Sequence, residues 1–439
     1  MDIRQFIATK RDGHRHSEAQ LREMAMMAGR GEIPDYQLSA WLMAAYLNPL
    51  DELETAALTQ GMADSGTRID LTGLPRPWVD KHSTGGVGDK ATLVLLPLLA
   101  AAGLTIVKMS GRGLGITGGT IDKLASVPGF RLDLTPAQMT AQAAEIGLAL
   151  TGQTPDLAPA DKVLYALRDV TATVSSIPLI VSSILSKKIA GGAEVIMIDV
   201  KCGSGAFMPD FASARQLATA LCETGRRCGL AVKTEITDMS QPLGSAVGNA
   251  LEVTEALEVL KGDASVLNAS SKRFRSLCII LAGETLVAAG IALDNKTGEE
   301  TAERLLREGK ALAKAEQWFR AQGSEWPPVL PKAAFTNSLT AEGKGYVAEV
   351  HAGQIGELVV SLGGGRTRKD DVIDPAVGIT LNAVVGDAVE TGDLLATIHS
   401  NSKVAQSEIQ QLRNAIQIQM AEVLPRPLIL KGCIHELDC

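Results

Sequence analysis

Four apolar stretches decide the fold of this chain: residues 91–103 read ATLVLLPLLAAAG, residues 104–111 read LTIVKMSG, residues 193–203 read AEVIMIDVKCG and residues 231–239 read AVKTEITDM. The first stretch has the length of a helix, and the other three have the length of strands. Such an alternation is typical of a parallel sheet whose strands are buried between helices. The centre of the chain is therefore predicted to be an α/β domain.

Helical patterns precede this centre and interrupt it. Apolar residues recur at three- and four-residue spacing within residues 1–65, and a second helical stretch occupies residues 155–192. From about Gly345 onward the pattern predicts strands. The predicted fold class is α/β: an all-α domain made of two chain segments, a large α/β domain, and a C-terminal α+β lobe. The predicted boundaries are residues 1–70 and 158–192 for the α domain, 71–157 and 193–340 for the α/β domain, and 341–439 for the lobe.

Composition limits the function classes. The 439 residues are 46% hydrophobic and 21% charged, which are globular values, and the net charge of −8 argues against nucleic acid as a partner. No apolar run reaches the roughly 18 residues of a membrane span, and the N-terminus lacks the apolar centre of a signal peptide. We therefore expect no membrane partner and a cytoplasmic location. Six cysteines without a Cys-x-x-Cys pair predict reduced thiols and no metal site.

Two glycine-rich segments carry a functional signal. Residues 80–90 read DKHSTGGVGDK and residues 108–120 read KMSGRGLGITGGT, and each precedes a predicted helix. Glycine lets backbone N–H groups converge on an anion, the helix N-terminus adds partial positive charge, and Ser and Thr add donors. Neither segment matches the nucleotide triphosphatase loop or the dinucleotide fingerprint, because Ala91 follows Lys90 and Ile116 stands where a third glycine is required. We predict an anion site of another type; the alternative is a pair of tight structural turns.

A third group of residues lies in the second helical stretch. Tyr165 and Arg168 are three positions apart, and Ser183 and Lys187 are four apart, so each pair shares a face if the segments are helical. Two cations, a hydroxyl and a phenol on adjoining faces could bind a polar planar ligand. The alternative is that Lys187 and Lys188 form a solvated helix end that complements the helix dipole.

These segments carry a family resemblance. Together with GQTPDLAPADKVLYALRDVTATVSSIPLIVSSILSKKIA (residues 152–190) and DVKCGSGAFM (residues 199–208), they resemble the pyrimidine-nucleoside and thymidine phosphorylases. The resemblance runs over essentially the whole chain and implies a cleft between the all-α domain and the α/β domain, as well as a homodimer. It also implies phosphorolysis, in which inorganic phosphate attacks the anomeric carbon of a pyrimidine (deoxy)nucleoside and releases the free base and an α-pentose 1-phosphate. Phosphate is then a co-substrate, and no cofactor is implied.

The resemblance also assigns site residues. The phosphate-binding positions that it implies are Lys81, Ser83, Thr92, Ser110 and Thr120. The substrate-binding positions that it implies are Lys108, Tyr165, Arg168, Ser183 and Lys187. Arg168 and Lys187 would stabilise negative charge on the departing base, and His82 would donate a proton to it. Lys108 implies that both uridine and thymidine are accepted, because narrow thymidine phosphorylases often carry Met there.

Two residues depart from the family pattern. Ile116 stands where the family usually has His, and since Ile has no hydrogen-bonding group we expect altered closure or substrate preference. Lys90 stands where some relatives have a Thr that helps to bind potassium. The other potassium-binding positions of those relatives correspond to Gly88, Leu243, Ala246 and Glu255. We expect the Lys90 ammonium to take the place of the cation, to pair with Glu255 and to make the activity independent of potassium; the alternative is a solvent-exposed lysine.

Other functions stay open at this point. A narrow thymidine phosphorylase, a phosphoribosyltransferase of the anthranilate type and a catalytically impaired nucleoside-binding homologue are all compatible with the pattern. The sequence STGGVGD, preceded by Lys81 and His82, favours phosphorolysis over the GTGGD-type loop of the transferases. A carrier protein is disfavoured, because ETGDLLATI at residues 390–398 has no modifiable lysine at its turn.

Overall fold

The chain begins with a bundle of four helices. The computed structural model describes residues 1–430 except 114, 155, 367, 369 and 370. The four helices are α1 (Ile3–Arg11), α2 (Glu18–Gly29), α3 (Asp35–Leu47) and α4 (Glu52–Asp64). Capping residues set where α2 and α4 begin: Ser17 accepts from the Gln20 N–H, and Asp51 accepts from the N–H groups of the first turn of α4.

The first half of a parallel sheet follows the bundle. Its elements are β1 (Trp78–Ser83), α5 (Ala91–Ala101), β2 (Thr105–Met109), α6 (Thr120–Ala125), α7 (Pro136–Ile146) and β3 (Leu148–Thr151). Helix α5 is apolar on all sides, and all but its last residue are buried, as expected for a helix packed inside a domain.

The chain then returns to the bundle before it completes the sheet. Helix α8 (Pro159–Val170) packs on α2 and α3, and α9 (Ile177–Ala190) packs on α4. Leu164 and Leu179 from these helices share a core with Trp41 and Phe6 of the N-terminal helices. A helical layer is thus built from two separate parts of the chain.

The second half of the α/β region adds two strands and a helical layer. Its elements are β4 (Val195–Cys202), α10 (Phe211–Arg227), β5 (Ala231–Asp238), β6 (Ala246–Val247), α11 (Asn249–Leu260), α12 (Ala269–Ala288), α13 (Asn295–Arg307) and α14 (Lys310–Ala321). The five-stranded sheet has the order β3-β2-β1-β4-β5, and every pairing in it is parallel. Strand β1 is therefore central, and the carboxyl ends of β1 and β2, where the two glycine segments start, lie side by side at one edge.

The last part of the chain forms an α+β lobe. Its elements are β7 (Phe335–Thr340), β8 (Gly345–Val350), α15 (Ala352–Val359), β9 (Gly378–Leu381), β10 (Ala388–Val389), β11 (Leu394–Ser400), α16 (Gln406–Ala415) and β12 (Ile416–Gln419). Two antiparallel sheets have the orders β10-β8-β12 and β6-β9-β11-β7. Because β6 comes from the α/β part of the chain, the lobe is joined to that part by main-chain hydrogen bonds.

The predicted fold class is confirmed, with a helical bundle, a central α/β domain with a parallel sheet and a small C-terminal α+β domain. The domain boundaries given above stay a prediction, and residues 431–439 lie outside the described part of the chain. Among the described residues, no helix has both the length and the apolar character needed to cross a membrane.

Candidate active site

The first glycine segment leaves the end of the central strand and turns back at once. The Ser83 hydroxyl donates a hydrogen bond to Asp89, and its oxygen lies 3.2 Å from the Gly85 nitrogen, whose N–H it accepts. Gly85 has a φ of +91°, a conformation that favours glycine. The Thr84 side chain accepts from the Lys201 N–H at 2.9 Å, which joins the turn to β4. Ser83 is thus held at the mouth of the turn.

Lys81 carries a buried charge, and its Nζ has no hydrogen-bond partner among the described residues. Its side chain is completely buried, and no group in the described part of the chain makes a hydrogen bond or a salt bridge with its Nζ. Burial would raise the pKa of nearby Asp89, but Lys81 and Lys201 hold it well below its usual value, so this carboxylate is ionised. A buried ammonium that lacks a hydrogen-bond acceptor is costly, and the natural remedy is a bound anion.

The second glycine segment folds back on itself. A Cβ on Gly113 would lie 2.2 Å from the Thr117 carbonyl oxygen, and one on Gly119 would lie 2.2 Å from the Gly113 nitrogen. Only glycine permits so close an approach of two backbones. The segment starts at Ser110, whose N–H donates to the Thr151 carbonyl at 3.0 Å, and ends where Thr120 begins α6.

The structure places the predicted phosphate-binding residues at one edge of the sheet, with one exception. Lys81 and Ser83 lie within the last three residues of β1. Ser110 and Thr120 lie at the two ends of the loop that follows β2. Thr92 lies in the first turn of α5 and is buried, and no contact of the described residues joins its hydroxyl to the other four.

The predicted base-binding residues lie together between α8 and α9. The Lys187 Nζ lies 2.7 Å from an Asp161 carboxylate oxygen, 3.2 Å from the Ser183 hydroxyl and 5.7 Å from the centre of the Tyr165 ring. The Arg168 guanidinium lies 5.9 Å from the same ring. Burial raises the pKa of Tyr165 and lowers that of Arg168. Tyr165 is therefore a phenol, and the two cations flank it.

Arg168 is partly used by the protein itself. Its guanidinium donates to the carbonyl oxygens of Thr173, Val174 and Leu179 at 3.4, 2.6 and 3.0 Å. A guanidinium has five N–H donors, so two remain for a ligand. Arg168 thereby shapes the turn between α8 and α9.

A buried carboxylate joins the two groups of residues. Asp80 on β1 lies 2.6 Å from the Lys188 Nζ of α9 and 3.1 Å from the Lys108 Nζ of β2. Lys108 also donates to the Lys81 carbonyl. Burial lowers the pKa of Lys108 to about 7, although Asp80 opposes the shift. Lys188 is 4% exposed, so the interpretation of this lysine as a solvated helix end is wrong.

His82 lies close to lysines of both the predicted phosphate-binding group and the predicted base-binding group. Burial, followed by the charges of Lys188, Lys108, Lys187 and Lys81, holds the pKa of its imidazole well below the usual value. The ring is therefore neutral near pH 7 in the protein without ligand. The same four cations would favour an anion beside it.

Lys90 is buried, contrary to the solvent-exposed alternative. Its Nζ lies 2.6 Å from the Leu243 carbonyl, 2.8 Å from the Ala246 carbonyl and 2.7 Å from a Glu255 carboxylate oxygen. Burial would raise the pKa of Glu255, but Lys90 together with hydrogen bonds from Ser271 and Ser245 lowers it. The expected pair with Glu255 is present, and the ammonium fills the space among these oxygens.

Ile116 packs on the C-terminal lobe. It is half-buried and belongs to the apolar cluster around Ile355 and Val87, where a Cβ on Gly356 would lie 3.0 Å from the Ile116 Cβ. The effect of this residue on closure or specificity stays a prediction.

Three carboxylates of the site were missed from the sequence. Asp161 precedes Tyr165 by four residues and Arg168 by seven, a helical spacing that places all three on one face. This carboxylate could therefore have been recognised from the sequence. Asp80 lies two positions before His82 on β1, and therefore on the same face of the sheet. Its pairing with Lys188, however, depends on distant parts of the chain. Asp122 follows the second glycine segment, and its partner comes from the C-terminal lobe.

Family comparisons cover most of the chain. Residues 75–312 match the description "Glycosyl transferase family, a/b domain", residues 4–66 match "Glycosyl transferase family, helical bundle domain", and residues 346–419 match "Pyrimidine nucleoside phosphorylase C-terminal domain". The three matched regions correspond to the sheet region, the first helices and the lobe described above.

Curated relatives are similar over almost their full length. The pyrimidine-nucleoside phosphorylase of Geobacillus stearothermophilus is 45% identical over 429 residues, covering 97% of this chain and 98% of that protein. The enzyme of the same name from Staphylococcus aureus (strain USA300) is 44% identical over 436 residues, covering 98% and 99%. Among solved structures, anthranilate phosphoribosyltransferase from Thermus thermophilus has a TM-score of 0.58 and 18% identity over 73% of this chain and 99% of that chain. This last likeness shows a shared fold alone.

Proposed function

This chain belongs to the pyrimidine-nucleoside phosphorylase family and is a pentosyltransferase, and we propose that it cleaves both uridine and thymidine with inorganic phosphate. The products are the free pyrimidine and α-D-ribose or 2-deoxyribose 1-phosphate, and the reaction is reversible. The proposed broad specificity rests on Lys108, which lies beside Lys81 on the neighbouring strand.

The observation that carries this proposal is the buried Lys81 ammonium at the start of the first glycine segment, for which the described residues provide no hydrogen-bond acceptor. Phosphate carries about two negative charges near pH 7 and would offer acceptors to Lys81 and to the Ser110 hydroxyl. It would also accept from the Ser83 hydroxyl once that group turns away from Asp89, because a hydroxyl has only one hydrogen to donate. Backbone N–H groups of the glycine segments and the N-terminus of α6 would complete its coordination. The anion would also offset the mutual repulsion of the surrounding cations.

The base would lie between α8 and α9. The two remaining Arg168 donors, the Ser183 hydroxyl and the Lys187 ammonium suit the oxygens and N3 of a pyrimidine, which gains negative charge as the glycosidic bond breaks. Asp161 holds Lys187 in place, so this ammonium is oriented before the substrate arrives.

His82 would act as the proton donor to the base only when phosphate is present. The imidazole is neutral without ligand because it is buried among four lysines. A phosphate dianion among the same lysines would offset part of their positive charge and so raise the His82 pKa, and phosphate binding would in this way prepare the proton donor.

A nucleoside panel tests the proposal. Uridine, deoxyuridine and thymidine are incubated with and without phosphate, and the free base is measured. We expect release only with phosphate, and we expect Lys81→Met to lower kcat/KM for phosphate at least about a hundredfold, as for other preorganised charge contacts. Lys162→Met, an exposed lysine on α8, is the matched control and should leave kcat/KM unchanged.

The alternatives give different results in the same assay. Activity with thymidine alone indicates a narrow thymidine phosphorylase. Base attachment that requires a pyrophosphorylated sugar indicates a phosphoribosyltransferase. Nucleoside binding without base release under any condition indicates a catalytically impaired homologue. Each of these three outcomes contradicts the proposed function.

We also propose that the protein is a homodimer in the cytoplasm and that the helical bundle forms the dimer contact. Helix α3 is apolar on all sides, and its outward stripe of Tyr36, Met43 and Leu47 is exposed in the single chain. A helix of this kind is normally covered on every face.

A further inference from the structure

The C-terminal lobe reaches the second glycine segment through one arginine. The Arg366 Nη1 lies 2.8 Å from an Asp122 carboxylate oxygen, and the two side chains are 13% and 3% exposed. Arg112, within the segment itself, lies 3.5 Å from the same oxygen but is 63% exposed. The buried partner of Asp122 is therefore the arginine of the lobe.

Asp122 and the residue after it hold the segment at both ends. The other Asp122 oxygen accepts from the Gly113 N–H at 2.6 Å. Lys123 donates to the Gly118 carbonyl at 2.6 Å and lies 3.3 Å from a Glu252 oxygen. Two consecutive residues of α6 thus bind the main chain at positions 113 and 118. A segment so rich in glycine loses much conformational entropy when it is ordered, so it depends on such anchors.

The lobe also packs directly against the segment. A Cβ on Gly356 would lie 3.0 Å from the Ile116 Cβ, and one on Gly365 would lie 3.5 Å from the Gly115 carbonyl oxygen. The Asn249 side chain donates to the Gly364 carbonyl at 3.1 Å and holds this part of the lobe to α11. Gly356 and Gly365 therefore allow the lobe to approach the segment closely.

We propose that Arg366 is a positioning residue for phosphate, acting through Asp122 to fix the backbone N–H groups of the second glycine segment. This inference rests on the proposed function. Removal of Arg366 would leave Asp122 as a buried carboxylate without its cation, and the carboxylate would turn toward water or toward Arg112. Gly113 would then lose its anchor, and the segment would bind phosphate in fewer of its conformations. Within the described part of the chain, no hydrogen bond or ion pair joins the base pocket between α8 and α9 to this network, so nucleoside binding would be spared.

Calorimetric titration of inorganic phosphate, without nucleoside, tests the proposal together with steady-state kinetics. We expect Arg366→Met to raise Kd and KM for phosphate about tenfold or more, a loss of about 1.4 kcal/mol, and to change KM for the nucleoside less than about twofold. Arg366→Lys should restore most of the phosphate affinity. Arg368→Met, an exposed arginine two positions along, is the matched control and should behave as the parent protein.

A double-mutant cycle with Asp122→Asn separates positioning from a general loss of stability. If the two residues act as one unit, Arg366→Met combined with Asp122→Asn will weaken phosphate binding no more than the worse single variant. Additive losses, unchanged phosphate binding in Arg366→Met, or an equal rise of both KM values would overturn the proposal. If Arg366→Met does not fold, Arg366→Gln, which also removes the positive charge, takes its place in the cycle with Asp122→Asn. A protein that binds phosphate but releases no base refutes the proposed function, while the calorimetric result still decides the role of Arg366.

Discussion

Lys90 supplies a covalently attached cation to a group of buried oxygens. Its Nζ lies within 2.8 Å of the Leu243 and Ala246 carbonyls and of Glu255. A potassium ion bound by the same oxygens would be close to the ammonium, and two like charges at that distance repel strongly in a buried site. The residues present therefore do not suit a metal ion here, and the expected independence from potassium has a physical cause.

We predict that potassium does not activate the parent enzyme relative to sodium at equal ionic strength. Replacing Lys90 by Thr removes the ammonium and leaves Glu255 as a buried, uncompensated charge, which costs about 3–5 kcal/mol. The Tm of Lys90→Thr should therefore fall in sodium and recover partly in potassium, since Thr adds an oxygen to the group. Lys90→Met, which adds none, should fall without recovery. Strong potassium activation of the parent protein would contradict the prediction.

The kinds of residue in the site could be predicted from sequence better than their partners. Lys81, Arg168, Ser183 and Lys187 could be assigned to a site from the sequence because motif and spacing are local properties, and their roles stay a prediction. The lack of a hydrogen-bond acceptor for the Lys81 Nζ among the described residues was not foreseeable, since it depends on where the whole fold places the surrounding side chains. Lys188 shows the same limit, because a lysine at a helix end is solvated only if no distant element covers it.

Among the elements, β1, β2 and α9 meet at one buried charge group. Asp80 receives Lys108 from one side and Lys188 from the other, so the carboxylate joins the sheet to the returning part of the helical bundle. Burial lowers the pKa of Lys108 to about 7, with a contribution from the nearby charges of Lys188 and Lys81. Asp80 opposes this shift, but it is one carboxylate shared by two ammonium groups. The Lys108 ammonium in this contact therefore loses its proton near neutral pH.

This group gives the folded protein a defined pH dependence. The Lys108 pKa is about 7 in the folded protein, and it is about 10.4 in an unfolded chain. Between these values the unfolded chain binds more protons, so the free energy of unfolding rises with pH, by at most about 1.4 kcal/mol per pH unit from this residue. Lys108→Met removes the contribution.

We therefore expect the Tm of the parent protein, relative to that of Lys108→Met, to rise as the pH increases from about 7 to about 9. Differential scanning calorimetry at constant ionic strength measures the difference. The Tm of the parent protein relative to that of Lys162→Met, a variant that keeps Lys108, should not change with pH. A Tm difference that is constant or falls over this range would show that Lys108 does not release its proton near pH 7.

The elements that the sequence predicted are those whose length and pattern are self-contained. The long apolar run at 91–103 is α5, and the strand-length runs contain β2, β4 and β5. Strand β6 has two residues and exists because β9, more than a hundred positions later, pairs with it. The segment around Leu428 likewise bonds to the edge of β5, through the Asp238 N–H and the Leu428 carbonyl. Short strands formed by distant pairing leave no periodicity to read.

For the whole molecule, three parts were predicted, and the helical bundle, the α/β domain with its parallel sheet and the C-terminal lobe are those parts. The approach of the C-terminal lobe to the second glycine segment was not predicted, and the sequence alone indicates only turns at the glycines of the lobe. At least Gly356 and Gly365 instead permit contact between two parts of the chain that are about 240 residues apart. Close approach across so large a separation depends on the complete fold rather than on local sequence.

The outward face of α3 gives the last prediction, which concerns assembly. Tyr36 and Leu47 are 72% and 69% exposed, and they lie eleven residues apart, three turns along the same stripe. Solvent exposure of such a stripe is unfavourable, and a second copy of the bundle would cover it. We expect the parent protein to sediment at twice its chain mass of 46.1 kDa and Leu47→Asp to sediment as a monomer at low micromolar concentration. Leu293→Asp, at a residue that is 94% exposed outside the bundle, is the control and should remain dimeric. An aspartate buried in an apolar interface loses its hydration, which is why Leu47→Asp should prevent dimerisation. A monomeric parent protein would show that there is no such contact. A Leu47→Asp variant that dimerises as tightly as the parent would show that the contact lies elsewhere.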